Sequence, residues 1–488
     1  GHGTGALDEA ADIDIDAVSL STANTTGGFV QIYEANDVAL QSVDNQTGAG
    51  TIVLDAVGAI TDNNDGNTVL TAGTLIVRAD DGIGETAGND DIQVDVDILD
   101  LRQTDVDTND DGVVNITDTD GLQVYRIDQD ADSNVTLATT AGPITVTNGQ
   151  AGVAATTGTV ALTVGGANNV LTVADPVGAT SGAITLTADK MTFSDTITTT
   201  GIVTLQETTA GQLVKLGAAD ADGTLGLTDA ELDFVNNASA LRIGSTDAGN
   251  LSLEGGAAIT PGTSMTTTSL ITGGTVTQTA GSVMNETSLR ITAAGAVTLT
   301  EANDVDNVAI DTSTGAIQFT DADGFSVADV DTASGIDTDD STVTLISTTG
   351  GITVTDTLAA NDIEATGNIT ATLVAEDAIF SISAGADVET SGGNVTVNAD
   401  NMALTGTITA TAGANQYVYL IPEDTGGSVE AIDLGGTGGA ANTLGLTSAE
   451  LSNVATDTLV IGEANSGAIS VTADVTAPNV TNLHLFSN

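Results

Sequence analysis

Short runs in which aliphatic residues alternate with threonine recur along the whole chain, and this period of two constrains the fold more than any other feature. Clear examples lie at 297–300, 316–320, 343–346, 352–355 and 394–397. The alternation places aliphatic side chains on one face of a strand and threonines on the other. Glycine, asparagine or aspartate ends each run, so the chain is predicted to be all-β, with short strands and short turns. The main exception is 227–232, where a Thr-x-x-Glu capping pattern predicts a single helical turn.

A second pattern has a much longer period. The segment Leu-Gly-Leu-Thr-Asp-Ala-Glu-Leu at 225–232 returns as Leu-Gly-Leu-Thr-Ser-Ala-Glu-Leu at 444–451, an offset of 219 residues. Ala-Asp-Lys-Met at 188–191 likewise returns as Ala-Asp-Asn-Met at 399–402. Arrays grow by such duplication, whereas globular enzymes rarely show it. The predicted parts of one continuous array are an N-terminal acidic β-repeat segment (1–160), a first long repeat unit (161–370) and a partial second copy (371–488).

The fold predicted from these repeats is a parallel β-helix, or β-solenoid, of many short turns. The chain has no Trp and only 2% aromatic residues, so Val, Ile, Leu and Ala must fill the core, as suits strands stacked on copies of themselves. With ~20 residues per turn, about 24 turns are expected. The alternative is a tandem array of β-sandwich domains, which the short strands and the scarcity of aromatic residues disfavour.

The charge of the chain excludes several classes of function. Seven basic residues face 67 acidic ones, a formal net charge of −60. Nucleic acids and anionic membrane surfaces are excluded as partners, because both are bound through Lys and Arg. No apolar run approaches the length of a membrane span, so membrane insertion is not expected. Self-repulsion of this size favours a medium rich in salt or divalent cations, and calcium is the first cation to consider.

Several motifs resemble the repeat regions of filamentous-haemagglutinin-like and other giant repetitive bacterial surface adhesins. The motifs are 72–75 (Ala-Gly-Thr-Leu) leading to 81–84 (Asp-Gly-Ile-Gly), 184–189 (Ile-Thr-Leu-Thr-Ala-Asp), and the paired Leu-Thr-x-Ala-Glu-Leu segments. This resemblance implies a right-handed parallel β-helix that is exported to the cell surface and serves in adhesion or matrix formation. An extracellular location at the cell surface is therefore expected.

One local motif points to a metal site. Residues 107–118 place oxygen ligands at positions 1, 3, 5, 9 and 12 of a loop with glycine at position 6, a pattern that wraps calcium and resembles the dockerin-type loop. The predicted ligands are the side chains of Asp107, Asn109, Asp111 and Asp118, the carbonyl of Val113, and Asn115 directly or through water. The alternative is a turn at 109–112 that leads into a strand at 113–117, with Asp118 pointing elsewhere.

A second, weaker metal candidate lies among acidic residues that are closely spaced in the sequence. Carboxylates that converge on one edge of a solenoid would repel each other unless a cation bridged them. The residues concerned are Asp321, Asp323, Asp329, Asp331, Asp337, Asp339 and Asp340.

Catalysis is a further alternative, because parallel β-helices include polysaccharide lyases. A lyase needs a base, commonly Arg or Lys, beside calcium-binding carboxylates, and Arg102 and Arg126 lie near the acidic region. Sugar subsites usually need aromatic platforms, and the sequence offers no Trp and only four Tyr. The basic residues are more simply interpreted as partners of nearby acids, so the chain is predicted not to be an enzyme.

The predicted function is therefore structural: the chain forms or decorates an extracellular fibre or matrix, supported by calcium. Exposed strand edges at uncapped solenoid ends favour self-association into fibres. The alternative is an adhesin module that recognises a glycan or a neighbouring cell, for which a cluster of exposed aromatic residues would be the expected signal.

Overall fold

The structure is a computed structural model that describes most of the chain in two compact units. The first unit comprises Gly1–Gly244 and Pro261–Met265, and the second comprises Ser245–Thr260 and Thr266–Asn488. The described residues are 13–14, 20–23, 28–45, 50–62, 67–79, 81–84, 91–102, 112–129, 133–147, 149, 151–262, 264–339, 341–358, 362–375, 378–411, 415–423, 430–436 and 442–488.

The chain is nearly all β and forms a parallel β-solenoid of about 17 turns, which confirms the predicted fold class. The predicted number of turns was too high, because a turn often holds more than 20 residues. Successive strands at Ile317, Val343, Ile369 and Val395, for example, follow each other every 26 residues. Tandem β-sandwiches are wrong, since sandwich sheets are antiparallel and these ladders are parallel. Among the helices in the described ranges, none is long and apolar enough to cross a membrane.

The strands between residues 13 and 245 are β1 (Ile13–Asp14), β2 (Leu20–Ala23), β3 (Phe29–Glu34), β4 (Val38–Asp44), β5 (Thr51–Ala56), β6 (Ile60–Asp62), β7 (Leu70–Ala79), β8 (Gly82–Ile83), β9 (Ile92–Arg102), β10 (Val113–Asp118), β11 (Leu122–Gln129), β12 (Val135–Thr139), β13 (Ile144–Val146), β14 (Gly152–Ala155), β15 (Val160–Val164), β16 (Val170–Val173), β17 (Val177–Ala179), β18 (Ile184–Thr187), β19 (Lys190–Phe193), β20 (Ile197–Thr198), β21 (Ile202–Gln206), β22 (Leu213–Leu216), β23 (Thr224–Leu227), β24 (Val235–Asn236) and β25 (Ala240–Ser245). A one-turn helix, α1 (Asp229–Leu232), follows β23.

The strands between residues 251 and 485 are β26 (Leu251–Leu253), β27 (Ala258–Ile259), β28 (Thr267–Thr272), β29 (Val276–Gln278), β30 (Val283–Ala293), β31 (Val297–Thr312), β32 (Ile317–Asp321), β33 (Phe325–Val327), β34 (Asp329–Val330), β35 (Ala333–Ser334), β36 (Ile336–Thr338), β37 (Val343–Ser347), β38 (Ile352–Val354), β39 (Ile363–Ala365), β40 (Ile369–Leu373), β41 (Ile379–Ile382), β42 (Asp387–Thr390), β43 (Val395–Asn398), β44 (Asn401–Leu404), β45 (Thr407–Ala410), β46 (Tyr417–Ile421), β47 (Ala431–Leu434), β48 (Thr443–Leu446), β49 (Val454–Ile461), β50 (Ile469–Val471) and β51 (Val480–Leu485). A second short helix, α2 (Ser448–Ser452), follows β48.

Each regular turn contains three strands, and each strand pairs with its counterpart one turn later. Strands β12, β13 and β14 pair in parallel with β15, β16 and β17. The inward residues stack in columns, such as Val135, Val160, Ile184 and Val203, all completely buried. Removing these aliphatic columns from water is the main source of stability in a chain without disulfides.

Buried polar side chains close the corners between strands. Thr390 is completely buried, and its hydroxyl accepts a hydrogen bond from the Gly393 amide at 2.9 Å. Thr312, three positions earlier in the same column, donates its hydroxyl to the Gly315 carbonyl at 3.2 Å. These bonds satisfy backbone groups that the bend removes from the ladder. The Thr-x-x-Gly spacing in the sequence thus encodes a corner.

The duplicated segment forms the same irregular element in each unit. In the first unit β22 pairs in parallel with β23, and in the second unit β47 pairs in parallel with β48. Each pair is followed by a helical turn with a capping box, in which Thr228 and Glu231, or Thr447 and Glu450, satisfy each other's backbone amides. The helical turn predicted at 227–232 is confirmed.

Candidate functional site

The predicted calcium loop is only partly within the described residues. Asp107, Asn109 and Asp111 lie outside them. Val113 and Asn115 lie on β10, which begins where the alternative interpretation predicted and ends one residue later, at Asp118. The calcium site stays a prediction.

Asp118 serves as a corner residue in the structure. Its side chain is completely buried, and one carboxylate oxygen accepts hydrogen bonds from the amides of Asp120 (3.1 Å) and Gly121 (2.8 Å). The other oxygen accepts a bond from the Val96 amide at 2.9 Å. Burial raises its pKa to about 6, although these three amides oppose the shift. Asp118 thus closes the end of β10, and three backbone amides already occupy its oxygens.

Asp321 repeats this arrangement in the second unit. Its carboxylate accepts bonds from the amides of Asp323 (3.0 Å), Gly324 (2.7 Å) and Val305 (3.0 Å), and burial raises its pKa to about 6. Gly324 has a φ of 106°, and a Cβ there would lie 2.5 Å from the Gly351 carbonyl oxygen. The sequence Asp-x-Asp-Gly forms this corner at 118–121 and at 321–324. A third copy at 220–223 does not, because Asp220 accepts bonds from the amides of Gly226 and Met191 instead.

The seven acidic residues of the second metal candidate do not meet at one place. Asp321 is buried in its corner, and Asp323 follows it. The Asp331 carboxylate instead accepts bonds from Ser269 Oγ (2.8 Å) and Arg290 (3.2 Å). Asp340 lies outside the described residues. Within the described ranges, no group of three or more acidic or histidine side chains is close enough to hold a metal ion.

Acidic side chains do line up on one face of the second unit. Asp311, Asp337, Glu364 and Glu389 occupy matched positions on β31, β36, β39 and β42, each one turn from the next. We call this set the acidic column. Neighbouring strands in a sheet are about 4.8 Å apart, so these like charges repel each other.

The raised pKa of Asp337 reflects this repulsion. Partial burial raises its pKa to about 6, followed in importance by the negative charges of Glu364, Asp339 and Asp311. The pKa of Asp311 is raised by burial and by Asp339, while Arg290 opposes the shift. The acidic column is therefore electrostatically strained at neutral pH, and cations or protons would relieve it.

The first unit has a comparable acidic region beside a shallow groove. The groove is lined by Asp97, Asp120, Gln123 and Thr145, among others. Burial raises the pKa of Asp95, and the charges of Asp120, Asp97 and Asp44 raise it further. This region falls within the acidic part of the sequence, and its described residues include no group of three or more acidic or histidine side chains that could hold a metal ion.

Several basic side chains pair with acids, as the sequence predicted for basic residues in general. Arg102 is hydrogen-bonded to Asp100, and this bond raises its pKa, so its guanidinium stays protonated and is poorly suited to act as a base. Further pairs are Arg78 with Asp55 (3.3 Å), Lys190 with Asp222 (2.6 Å) and Arg290 with Asp331 (3.2 Å).

A different face of the second unit carries no charge. Strands β32, β37, β40, β43 and β46 pair in register, and their outward side chains form two columns. We call these two columns the hydroxyl face. The first column is Gln318, Thr344, Thr370, Thr396 and Tyr419, and the second is Thr320, Ile346, Thr372, Asn398 and Ile421. Thr320 is buried, and the other nine side chains are at least partly exposed. In a chain with 67 acidic residues, this face is chemically distinct.

Two tyrosines stand together at one end of the hydroxyl face. The rings of Tyr417 and Tyr419 stack with centroids 5.6 Å apart and an interplanar angle of 19°. Both are half-buried, and the Tyr417 amide donates to Asn394 Oδ1 at 2.9 Å, which fixes the start of the strand. The sequence analysis missed this aromatic pair. The signal was present, because the period of two in Tyr417-Val418-Tyr419 places both rings on the outward side.

Comparison of the chain with known protein families, with curated proteins and with solved structures found no match. The resemblance to surface adhesins therefore stays a prediction, and the fold and side-chain geometry carry the functional argument.

Proposed function

We propose that the chain is an extracellular structural element that forms or decorates a surface fibre or matrix. The observation that supports this proposal is the continuity of parallel pairing from turn to turn. In the second unit, for example, β32, β37, β40, β43 and β46 follow each other without a break. Every turn is held to the next by backbone hydrogen bonds over a dry aliphatic column, which makes a stiff spacer.

Self-association would extend such a spacer. Among the described strands, β51 pairs with β49. Leu483 and Leu485 are 42% and 44% exposed, although their in-register partners Leu459 and Ile461 are completely buried. Exposed apolar side chains on a strand of this kind favour the addition of a further strand.

Calcium fits this proposal in two ways. The oxygen-rich loop from Asp107 to Asp111 has the ligand spacing of a calcium loop. In the acidic column, neighbouring negative charges raise the pKa values of Asp311 and Asp337, so divalent cations would lower this repulsion.

Electron microscopy and fibre diffraction of the purified chain test the proposal. Samples are prepared with calcium and again after chelation. Fibres with an axial repeat of about 4.8 Å that shorten or dissociate on chelation are expected. Compact particles that are unchanged by concentration and by chelation would contradict the structural role. An Asp107→Asn variant is compared with Asp128→Asn, which removes the same charge from an exposed position outside the loop, to separate the loop from general effects of charge.

A further inference from the structure

The charge pattern of the second unit restricts what the hydroxyl face can bind. Its outward columns contain Thr, Gln, Asn, Ile and Tyr and no ionised group. An anionic ligand would be repelled by a chain of net charge −60, and a cationic ligand would be drawn to the acidic side chains elsewhere. An uncharged ligand rich in hydroxyl groups is the chemistry that remains.

The aromatic pair supplies the second requirement of such a ligand. The rings of Tyr417 and Tyr419 stack on each other, and both side chains are half-buried, so part of the pair is exposed to solvent. The C–H faces of sugar rings pack on aromatic faces, and the polar tip of tyrosine stays free to hydrogen-bond. Two of the four tyrosines of the chain therefore lie on β46, a strand of the hydroxyl face.

Hydrogen-bonding groups continue from the tyrosines along the columns. Thr396 is in register with Tyr419, Thr370 with Thr396, and Thr344 with Thr370. The second column adds Asn398, whose Nδ2 donates to Thr372 Oγ1 at 3.2 Å. Residues in a solenoid ladder are held by the backbone, so little conformational entropy is lost when a ligand binds them.

The ladder continues beyond the five strands that define the hydroxyl face. On one side β46 pairs with β49, where Thr458 and Val460 lie opposite Tyr417 and Tyr419, and on the other side β32 pairs with β31, where Thr298 lies opposite Gln318. Since neighbouring strands are about 4.8 Å apart, the five strands span about 20 Å along the columns. A single polysaccharide chain is narrow enough to lie along these columns across several turns.

We infer that the hydroxyl face of the second unit is a binding site for an uncharged polysaccharide, with Tyr417 and Tyr419 as the stacking platform and the threonine and asparagine columns as hydrogen-bonding groups. The inference goes beyond the proposed structural role, and it does not require that the chain forms fibres.

Tyrosine fluorescence of the dispersed full chain measures this binding, because no Trp masks the signal. The probes are cellohexaose and hexa-N-acetylchitohexaose as soluble uncharged glycans, with cellulose and chitin particles for depletion from solution. Polygalacturonate serves as the anionic control. Binding of at least one uncharged probe, and none of polygalacturonate, is expected.

Variants assign the binding to the face. Tyr417→Ala and Tyr419→Ala are expected to weaken binding about tenfold each, whereas Tyr419→Phe keeps the ring and most of the affinity. The matched controls are Tyr33→Ala and Tyr125→Ala, which remove the other two tyrosines from the first unit. Thr370→Glu introduces a charge into the columns and should also weaken binding, and circular dichroism checks that each variant folds.

Three results would overturn the inference. In the first, the wild-type chain binds none of the uncharged probes. In the second, Tyr417→Ala and Tyr419→Ala bind these probes as well as the control variants do. In the third, the tyrosine variants would change the sedimentation of the chain and leave glycan binding unaltered, which would make the face a contact between copies. Fibre formation is scored separately, so its failure leaves this test intact.

Discussion

The hydroxyl face and the acidic column belong to the same turns of the second unit and differ only on their outer side. Behind the hydroxyl face stand Phe319 and Leu345, and behind the acidic column stand Ile336 and Ile363, all essentially buried and in register. Solenoid packing therefore fixes every second residue and leaves the intervening ones open to selection for other properties. One outer surface has become neutral and hydrogen-bonding, and the other has accumulated repelling charge.

Two carboxyl groups, one inward and one outward, show how the interior and the outer surface differ. Asp321 ends a strand of the hydroxyl face but points inward, where three amides bind it, while Asp337 points outward among other acids. Both have a pKa of about 6, Asp321 because of burial and Asp337 because of burial and its acidic neighbours. The two carboxylates thus have similar pKa values and opposite effects on stability. Asp321 stabilises a corner, whereas Asp337 repels the acidic residues of neighbouring turns.

The largest expected effect comes from the interior that the two faces share. Leu345→Ala should lower the free energy of unfolding by about 2–5 kcal/mol, because Leu345 is completely buried between Phe319 and Ala371. The outward neighbour Thr344→Ala should stay within about 0.5 kcal/mol of the wild type. Urea unfolding followed by circular dichroism measures both. Equal losses in the two variants would mean that inward and outward positions are not distinct.

The next effect separates the two carboxyl groups. Asp321→Ala leaves the amides of Val305, Asp323 and Gly324 without their acceptor, and it should destabilise the chain by about 1–3 kcal/mol. Asp337→Asn removes a repelling charge from a partly exposed site and should stabilise it by less than about 1 kcal/mol. The same unfolding measurement gives both signs. A loss of stability in Asp337→Asn would show that the column is not strained.

The sequence predicted the interior far better than the surfaces. The runs at 343–346 and 394–397 became β37 and β43, because a period of two fixes which side is buried. The parallel pairing of β22 with β23 was not predictable, because the spacing of these two strands in the sequence matches neither the long repeat nor one solenoid turn. Among the predicted calcium ligands, Asp118 accepts hydrogen bonds from backbone amides at a corner. The tyrosine pair was not predicted, because the prediction used the low aromatic content of the chain and not the positions of the tyrosines along the strand.

Lowering the pH should favour the folded state through both kinds of carboxyl group. The folded pKa values of Asp118, Asp220, Glu286, Asp321 and Asp337 are raised to about 6, from 4.5 for the glutamate and 3.8 for the aspartates. Their stabilising contribution is complete below the unfolded pKa and is lost as the pH rises through about 6. Urea midpoints should therefore increase from pH 7 to pH 5, and less so in Asp337→Asn. A midpoint that falls over this range would contradict the assignment.

The smallest expected effect is that of salt, and it distinguishes screening from specific binding. Raising NaCl from 20 to 200 mM shortens the Debye length from about 20 Å to about 7 Å, which weakens repulsion along the acidic column. The urea midpoint should rise slightly in the wild type and less in an Asp337→Asn, Glu364→Gln double variant. Glycan binding on the hydroxyl face should not change with salt, because that face bears no charge. If low millimolar calcium stabilises the chain equally in the double variant and the wild type, the cation acts elsewhere, and the loop from Asp107 to Asp111 is the first place to test.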